Sequence, residues 1–330
     1  MTTLAADEAT TRLPWHEGET QLQRSIGVEA RMGEVGRKAI RDHLIDQHRE
    51  FYTLLPMVVL GAVDADDDVW ATLRAGYPGF LHAPDPSRLR VALPREGADP
   101  AEAGMEDGAA IALLGIDLGT RRRNRLNGTL HRHAGGFDLV VQESFGNCPK
   151  YIQLRHASFI RAPQQSSALP PHTGSTLDDE SRRLVEQADT LFVASYFEDG
   201  NGRRIGVSHR GGPTGFVRIG DDGWLTIPDF PGNRFFNTLG NIAINRKAGL
   251  AFVDFASGSL LQMTGYAELV QDASICKPLA GAERYWRFRP RKVVWRPDAL
   301  PIRYDMVEWS PFTLNMRGGN KAEAASDRAQ

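Results

Sequence analysis

The chain has 330 residues, 41% hydrophobic and 24% charged, the balance of a soluble globular protein long enough for two domains of ordinary size. Lys and Arg number 39 against 41 Asp and Glu, and the net charge of −2 gives no global electrostatic case for nucleic acid or a membrane surface. Two cysteines, Cys148 and Cys276, exclude a disulfide framework and a cysteine-rich metal site, and no uncharged apolar run has membrane-spanning length, so a reducing cytoplasm is the expected compartment. The acidic N-terminal stretch lacks an apolar core and does not read as a secretory leader.

Residues 1–33 are polar and read as an irregular arm, with Pro14-Trp15-His16-Glu17-Gly18 as their one distinctive patch. From Glu34 to Phe51 the residues Ile40, Leu44, Ile45 and Phe51 follow helical spacing, and Pro56 closes the segment. Short β-type segments follow at 57–63, 69–75, 79–82, 88–93, 109–118, 123–131 and 137–142, with Arg121-Arg122-Arg123 read into a turn. Residues 161–176, rich in Pro, Ser and Gln, read as a linker. Thr176 with Asp179 resembles a capping box opening a helix through about Ala188, and the strand pattern returns from Leu191 to about Leu269. The run Arg284–Lys292 alternates aromatic and basic residues, as a strand with one wet face does. His131 and His133, with no nearby carboxylate or third ligand in the sequence, read as strand surface, and no metal site is expected.

The chain repeats itself. Thr72-Leu73-Arg74-Ala75-Gly76-Tyr77-Pro78-Gly79-Phe80 returns as Ser208-His209-Arg210-Gly211-Gly212-Pro213-Thr214-Gly215-Phe216, with hydroxyl, Arg, Gly, Gly and Phe in the same places. Asp117 and Asn127-Gly128 return as Asp254 and Thr264-Gly265 with the same Asp-to-Gly spacing. A mainly β protein with flanking helices is therefore expected, built of antiparallel barrels over residues 34–160 and 177–330. A parallel Rossmann sheet does not fit, because helices do not alternate with strands. The copies diverge at Ile227-Pro228-Asp229-Phe230-Pro231-Gly232-Asn233-Arg234, where the first has Leu93-Pro94-Arg95-Glu96. A strand that ends in such a turn and runs into a helix suits anion capture: glycine lets the backbone approach, amides point outward, and Arg supplies a bidentate fork.

These motifs, with Leu261-Gln262-Met263-Thr264-Gly265, resemble the FMN-binding split barrel of the pyridoxamine 5′-phosphate oxidase-like superfamily, strongly in the second copy and more weakly in the first. The resemblance implies two tandem split β-barrels forming an internal pseudo-dimer with FMN at their interface. It implies Asn233 and Arg234 on the phosphate, Pro228 and Asp229 along the ribityl side, and Ser208, His209 and Arg210 facing the flavin. Gln262 is a weaker candidate, equally readable as an exposed strand residue. Asn147-Cys148-Pro149-Lys150 is similar to a turn that follows the barrel in single-domain relatives, so Lys150 is a candidate contact, whereas Cys148 reads as a small buried residue rather than a nucleophile. Each copy lacks the turn the other keeps, so one flavin site shared by both is expected. True oxidases carry a C-terminal Arg-Leu-His pattern; Trp295-Arg296-Pro297 and Pro301-Ile302-Arg303-Tyr304 stand there, so pyridoxamine phosphate is not the expected substrate. The resemblance implies an FMN-dependent oxidoreductase with a small-molecule substrate and NAD(P)H or a redox protein as partner, and it leaves a homodimer open. The alternatives are a non-catalytic flavin or haem carrier or sensor, and a deazaflavin-dependent reductase. No residue is assigned as a catalytic acid or base.

Overall fold

The computed structural model describes residues 14–272, 276 and 278–316. Where an irregular arm was expected, two helices form, α1 (Glu17–Ser25) and α2 (Glu29–Ala39). The His16 ring accepts from the Gly18 amide while the Glu19 carboxylate accepts from the His16 amide, a capping box built on histidine instead of the usual hydroxyl residue. The single helix expected from Glu34 to Phe51 is divided between α2 and α3 (Asp46–Thr53). Between them Arg41 exchanges backbone bonds with Ser144 and Leu44 donates to Pro86, so tertiary partners take the groups a continuous helix would use.

Strands β1 (Met57–Val63), β2 (Val69–Ala75), β3 (Leu81–Asp85), β4 (Arg88–Val91), β5 (Ala110–Asp117), β6 (Arg122–His133) and β7 (Gly136–Gly146) form an antiparallel sheet in the order β2-β1-β5-β6-β7-β4-β3. The chain then passes through β8 (Leu154–Phe159), β9 (His172–Gly174) and α4 (Asp179–Gln187). Asp178, not Thr176, caps α4, its carboxylate accepting from Ser181 N at 2.8 Å. A second sheet follows: β10 (Thr190–Asp199), β11 (Gly202–Gly211), β12 (Arg218–Ile219), β13 (Leu225–Asp229), then α5 (Asn237–Asn245), β14 (Lys247–Val253), β15 (Leu260–Leu269) and β16 (Arg284–Arg296). Its order, β11-β10-β14-β15-β16-β13-β12, repeats the first sheet strand for strand. Among the described residues the end strands of neither sheet bond to each other, so no closed barrel forms. β9, inside the expected linker, pairs with β16, and β17 (Ile302–Glu308) returns to pair with β8.

The repeated Asn127-Gly128 and Thr264-Gly265 pairs have a mechanical cause. Each interrupts the register of its strand, and a Cβ added to Gly128 would lie 1.9 Å from Val140 O, one added to Gly265 2.1 Å from Arg289 O. Both sheets bulge at that point, where only glycine lets the strand press on its neighbour.

Every residue of β1 is buried, because the strand has an apolar layer on each face. Val58 and Leu60 pack with Tyr52, Leu113 and Phe137, while Met57 and Val59 join Leu114, Phe192, Ile205 and Val207 in a layer made by both sheets. Val193, Leu250, Trp286 and Phe288 belong to a third layer on the far side of the second sheet. Side-chain alternation thus presses the sheets face to face, and polar residues of β6 meet β11 at the rim of that contact. No helix among the described residues is long and apolar enough to cross a membrane, which says nothing of strands.

Candidate functional site

A cleft opens at that rim, and residues of both sheets wall it. From the second sheet, β11 brings Ser208 and Arg210 on one face, with His209 turned to the other. The Ser208 hydroxyl accepts from Thr238 Oγ1 at 3.1 Å, and Arg210 Nη1 donates to Asp229 Oδ1 at 2.5 Å. Asp229, at the end of β13 and only 4% exposed, accepts from Arg284 Nη1 at 2.7 Å through its other oxygen. One buried carboxylate therefore holds two guanidinium groups at the wall, with Pro228 beside it.

The turn after β13 continues the wall. Asn233 Nδ2 donates to Asn147 Oδ1 at 3.1 Å, and its Oδ1 accepts from Phe235 N at 3.1 Å. Arg234 and Phe236 take left-handed backbone (φ 66° and 61°), folding the turn back so that α5 opens against the cleft. No side chain caps the N-terminus of α5. Its first-turn amides keep their donor capacity and positive dipole end. Arg234 pairs with Glu283.

The first sheet supplies residues that the sequence reading passed over. Arg123, where the expected strand 123–131 begins, lies in β6 and donates to Cys148 O at 2.7 Å and His209 O at 3.3 Å. Arg125, two residues on and on the same face, donates to Asn237 Oδ1 at 2.9 Å and stacks over Phe145. Burial pushes both guanidinium groups down to about 10, which leaves them charged at neutral pH. Their i, i+2 spacing was the available signal, since two arginines on one strand face need a counter-charge or a ligand. Lys150 also lines the cleft, its Nζ 4.8 Å from the Phe312 ring centre.

The structure brings together eight of the expected site residues: Lys150, Ser208, His209, Arg210, Pro228, Asp229, Asn233 and Arg234. Gln262 is elsewhere. It is fully buried, donating to Ala71 O and to Asp99 Oδ1, each at 3.0 Å, so neither a cleft contact nor an exposed strand residue describes it. The His209 ring is 4% exposed, meets Phe192 edge-on and faces Arg123 through Nδ1 at 3.3 Å. Burial and the neighbouring cations Arg123, Arg155 and Arg210 hold it neutral. Cys148 is half-buried and serves through its carbonyl. Outside the cleft, His131 and His133 do face carboxylates, Asp107 at 3.7 Å and Asp138 at 3.4 Å.

Behind Arg125 lies a polar chain that also escaped the sequence. Asn237 donates to Glu19 of α1, so helix α1 reaches the cleft through one amide side chain. Burial raises the Glu19 carboxyl to about 7, and burial lowers the adjoining His16 to about 4. Several wall residues carry buried donors with no partner: Arg125 Nε, Asn147 Nδ2 and Arg210 Nε. An unpaired buried donor costs about 1–3 kcal/mol, so the wall is short of acceptors.

No protein-family model and no curated protein matches the chain. Among solved structures it is similar to an FAD-binding protein from Mesorhizobium loti, at 14% identity over 39% of this chain and 99% of that one, TM-score 0.27. Proteins of the pyridoxine phosphate oxidase family are among these structures. One, from Clostridium acetobutylicum and related to general stress protein 26 of Bacillus subtilis, is 21% identical over 39% of this chain and 92% of that one, TM-score 0.25. A heme storage protein from Vibrio cholerae is 13% identical over 37% of this chain and 95% of that one, TM-score 0.25.

Proposed function

We propose that this chain is an FMN-binding flavoprotein, an oxidoreductase built as an internal pseudo-dimer of two split barrels, residues 34–160 and 177–330, with one flavin site shared between them. The observation that carries the reading is the two-sided cationic cleft. Arg210, Arg234 and Arg284 come from one half and Arg123, Arg125 and Lys150 from the other, beside an uncapped helix N-terminus and three buried donors that lack acceptors. Such a wall suits a planar ligand with a phosphate at one end and electron-rich oxygens at the other.

In this reading Asn233, Arg234 and the first amides of α5 hold the phosphate, Pro228 and Asp229 border the ribityl chain, and the Ser208–Arg210 strand lies against the ring. FMN supplies the hydride or electron transfer, and the chain supplies orientation and charge. Arg123, bonded to the Ser208–Arg210 strand, would place fixed positive charge beside the ring, and Arg125, bonded to Asn237 at the start of α5, would place it toward the phosphate. Haem fits less well: His209, the one imidazole among the described residues of the wall, is buried on the other face of β11. Pyridoxamine phosphate is not the substrate in this reading. Arg296 is buried against Asp99, and Arg303 pairs with Asp298, so neither is free to grip a second phosphate.

The test is the visible spectrum and stoichiometry of purified protein equilibrated with FMN. One flavin per chain, bleached anaerobically by NADH or NADPH and not by pyridoxamine 5′-phosphate, is expected. A Soret band on the isolated protein, no bound flavin, or two flavins per chain would overturn the reading.

A further inference from the structure

The strand-for-strand repeat gives the strand positions of the cleft wall counterparts in the other half. Ser208 and Arg210 of β11 correspond to Thr72 and Arg74 of β2. Arg125 of β6 corresponds to Gln262 of β15, each standing at the same distance before its bulge glycine. The exchange is reciprocal: Arg125 of the first sheet enters the cleft of the second, and Gln262 of the second enters the surroundings of Thr72 and Arg74 on the first. A second binding position is thus built into the chain.

Its polar groups are engaged by the chain itself. A short 3-10 helix, Pro100–Gly104, and the Asp99 that caps it occupy the position. Asp99 accepts from Thr72 Oγ1 at 2.5 Å and Gln262 Nε2 at 3.0 Å, and its Oδ2 lies 3.3 Å from Arg296 Nη1. Glu102 accepts from Arg74 Nη1 at 2.8 Å and Arg132 Nη2 at 2.7 Å. Both carboxylates are buried, at 3% and 8% exposure, and so are Thr72, Arg74, Gln262 and Arg296. The contrast with the cleft is chemical. There, Arg125 and Arg210 keep buried nitrogens without partners; here, no side-chain atom of Thr72, Arg74, Gln262 or Arg296 is left so among the described residues.

We propose that Asp99 and Glu102 are an internal ligand: two carboxylates of the chain stand where an oxyanion would bind on the first sheet, and removing them uncovers a site for a small oxyanion such as phosphate. The segment closes one of two equivalent positions, so the chain takes one anionic ligand, whatever the chemistry of the ligand in the cleft. It also explains why the first copy dispensed with the Gly-Asn-Arg turn, since the carboxylates of an adjoining loop satisfy the arginines.

The experiment compares thermal unfolding of the full chain and its Asp99→Ala/Glu102→Ala variant in inorganic phosphate and in potassium chloride of matched ionic strength. Uncovering Arg74, Arg132 and Arg296 lowers the variant's Tm in chloride. Phosphate at about ten times its Kd then raises that Tm by about 2–4 °C more than it raises the wild type's. Adding Arg74→Met to the variant abolishes the gain. If the double variant does not fold, Glu102→Ala alone, with Asp99 still capping the 3-10 helix, gives the same comparison. An equal phosphate effect on a folded variant and wild type, or a gain that survives Arg74→Met, overturns the proposal.

Discussion

Glu19→Gln is expected to gain stability relative to wild type as pH rises from about 4.5 to 7. Glu19 is 4% exposed, and burial raises its pKa from 4.5 to about 7. A carboxyl raised in the folded state contributes stability below its unfolded pKa and loses it as pH climbs through the folded value. At about 1.4 kcal/mol per pKa unit, ionising Glu19 in place costs roughly 3 kcal/mol by pH 8. Gln keeps one acceptor oxygen, which can hold the capping-box contact to the His16 amide, and loses the acceptor for Asn237; that loss is independent of pH, so the change of the difference with pH reports the charge alone. His16 runs the other way: lowered from 6.5 to about 4, it contributes stability above pH 6.5 that is lost as pH falls through about 4. The two slopes oppose each other between about pH 4.5 and 6.5, so the wild-type profile hides them and the variants reveal them. Relative to wild type, Glu19→Gln should gain stability as pH rises from about 4.5 to 7, and His16→Asn should lose it as pH rises from about 4 to 6.5. Urea unfolding followed by circular dichroism at half-unit pH steps measures both, with other titrating groups cancelling in the difference from wild type. A Glu19→Gln difference that is constant from pH 4.5 to 8 would refute the reasoning.

Arg234→Ala should weaken FMN about ten- to a hundredfold, the loss of one charge-assisted contact, whereas Arg95→Ala, at the exposed counterpart paired with Glu106, should change it little; fluorescence titration compares them. Because Glu283 competes for Arg234, Glu283→Gln should tighten FMN in the same titration. Ionised Glu19 partly neutralises Arg125 through Asn237, so the ratio of wild-type to Glu19→Gln affinity for FMN should fall as pH rises from 6 to 8. Gly128→Ala should destabilise by about 1–3 kcal/mol or more, since its Cβ meets the carbonyl of Val140 in a strand that cannot retreat; a denaturation midpoint equal to wild type's would contradict that account.

The strands were legible because period-two alternation and turn residues are local, and the repeat was legible because two sheets with one strand order need the same glycines at the same bulges. Residues 227–234 were legible too, as a Pro-Asp and Gly-Asn-Arg turn needs no distant partner to be recognised. What lay between elements remote in sequence was not legible. Arg123 and Arg125 look like surface arginines until β6 is laid against β11, and Gln262 looks like an exposed strand residue until Asp99 of the other half bonds to it. His16 and Glu19 were passed over because the capping box uses an imidazole and because the counterpart of Glu19, Asn237, is more than two hundred residues away. Local chemistry written in the sequence determined most of the strands of the two sheets and one half of the cleft. Burial and charge pairing, which exist only once the two sheets pack face to face, decided the other half and closed the position related to it.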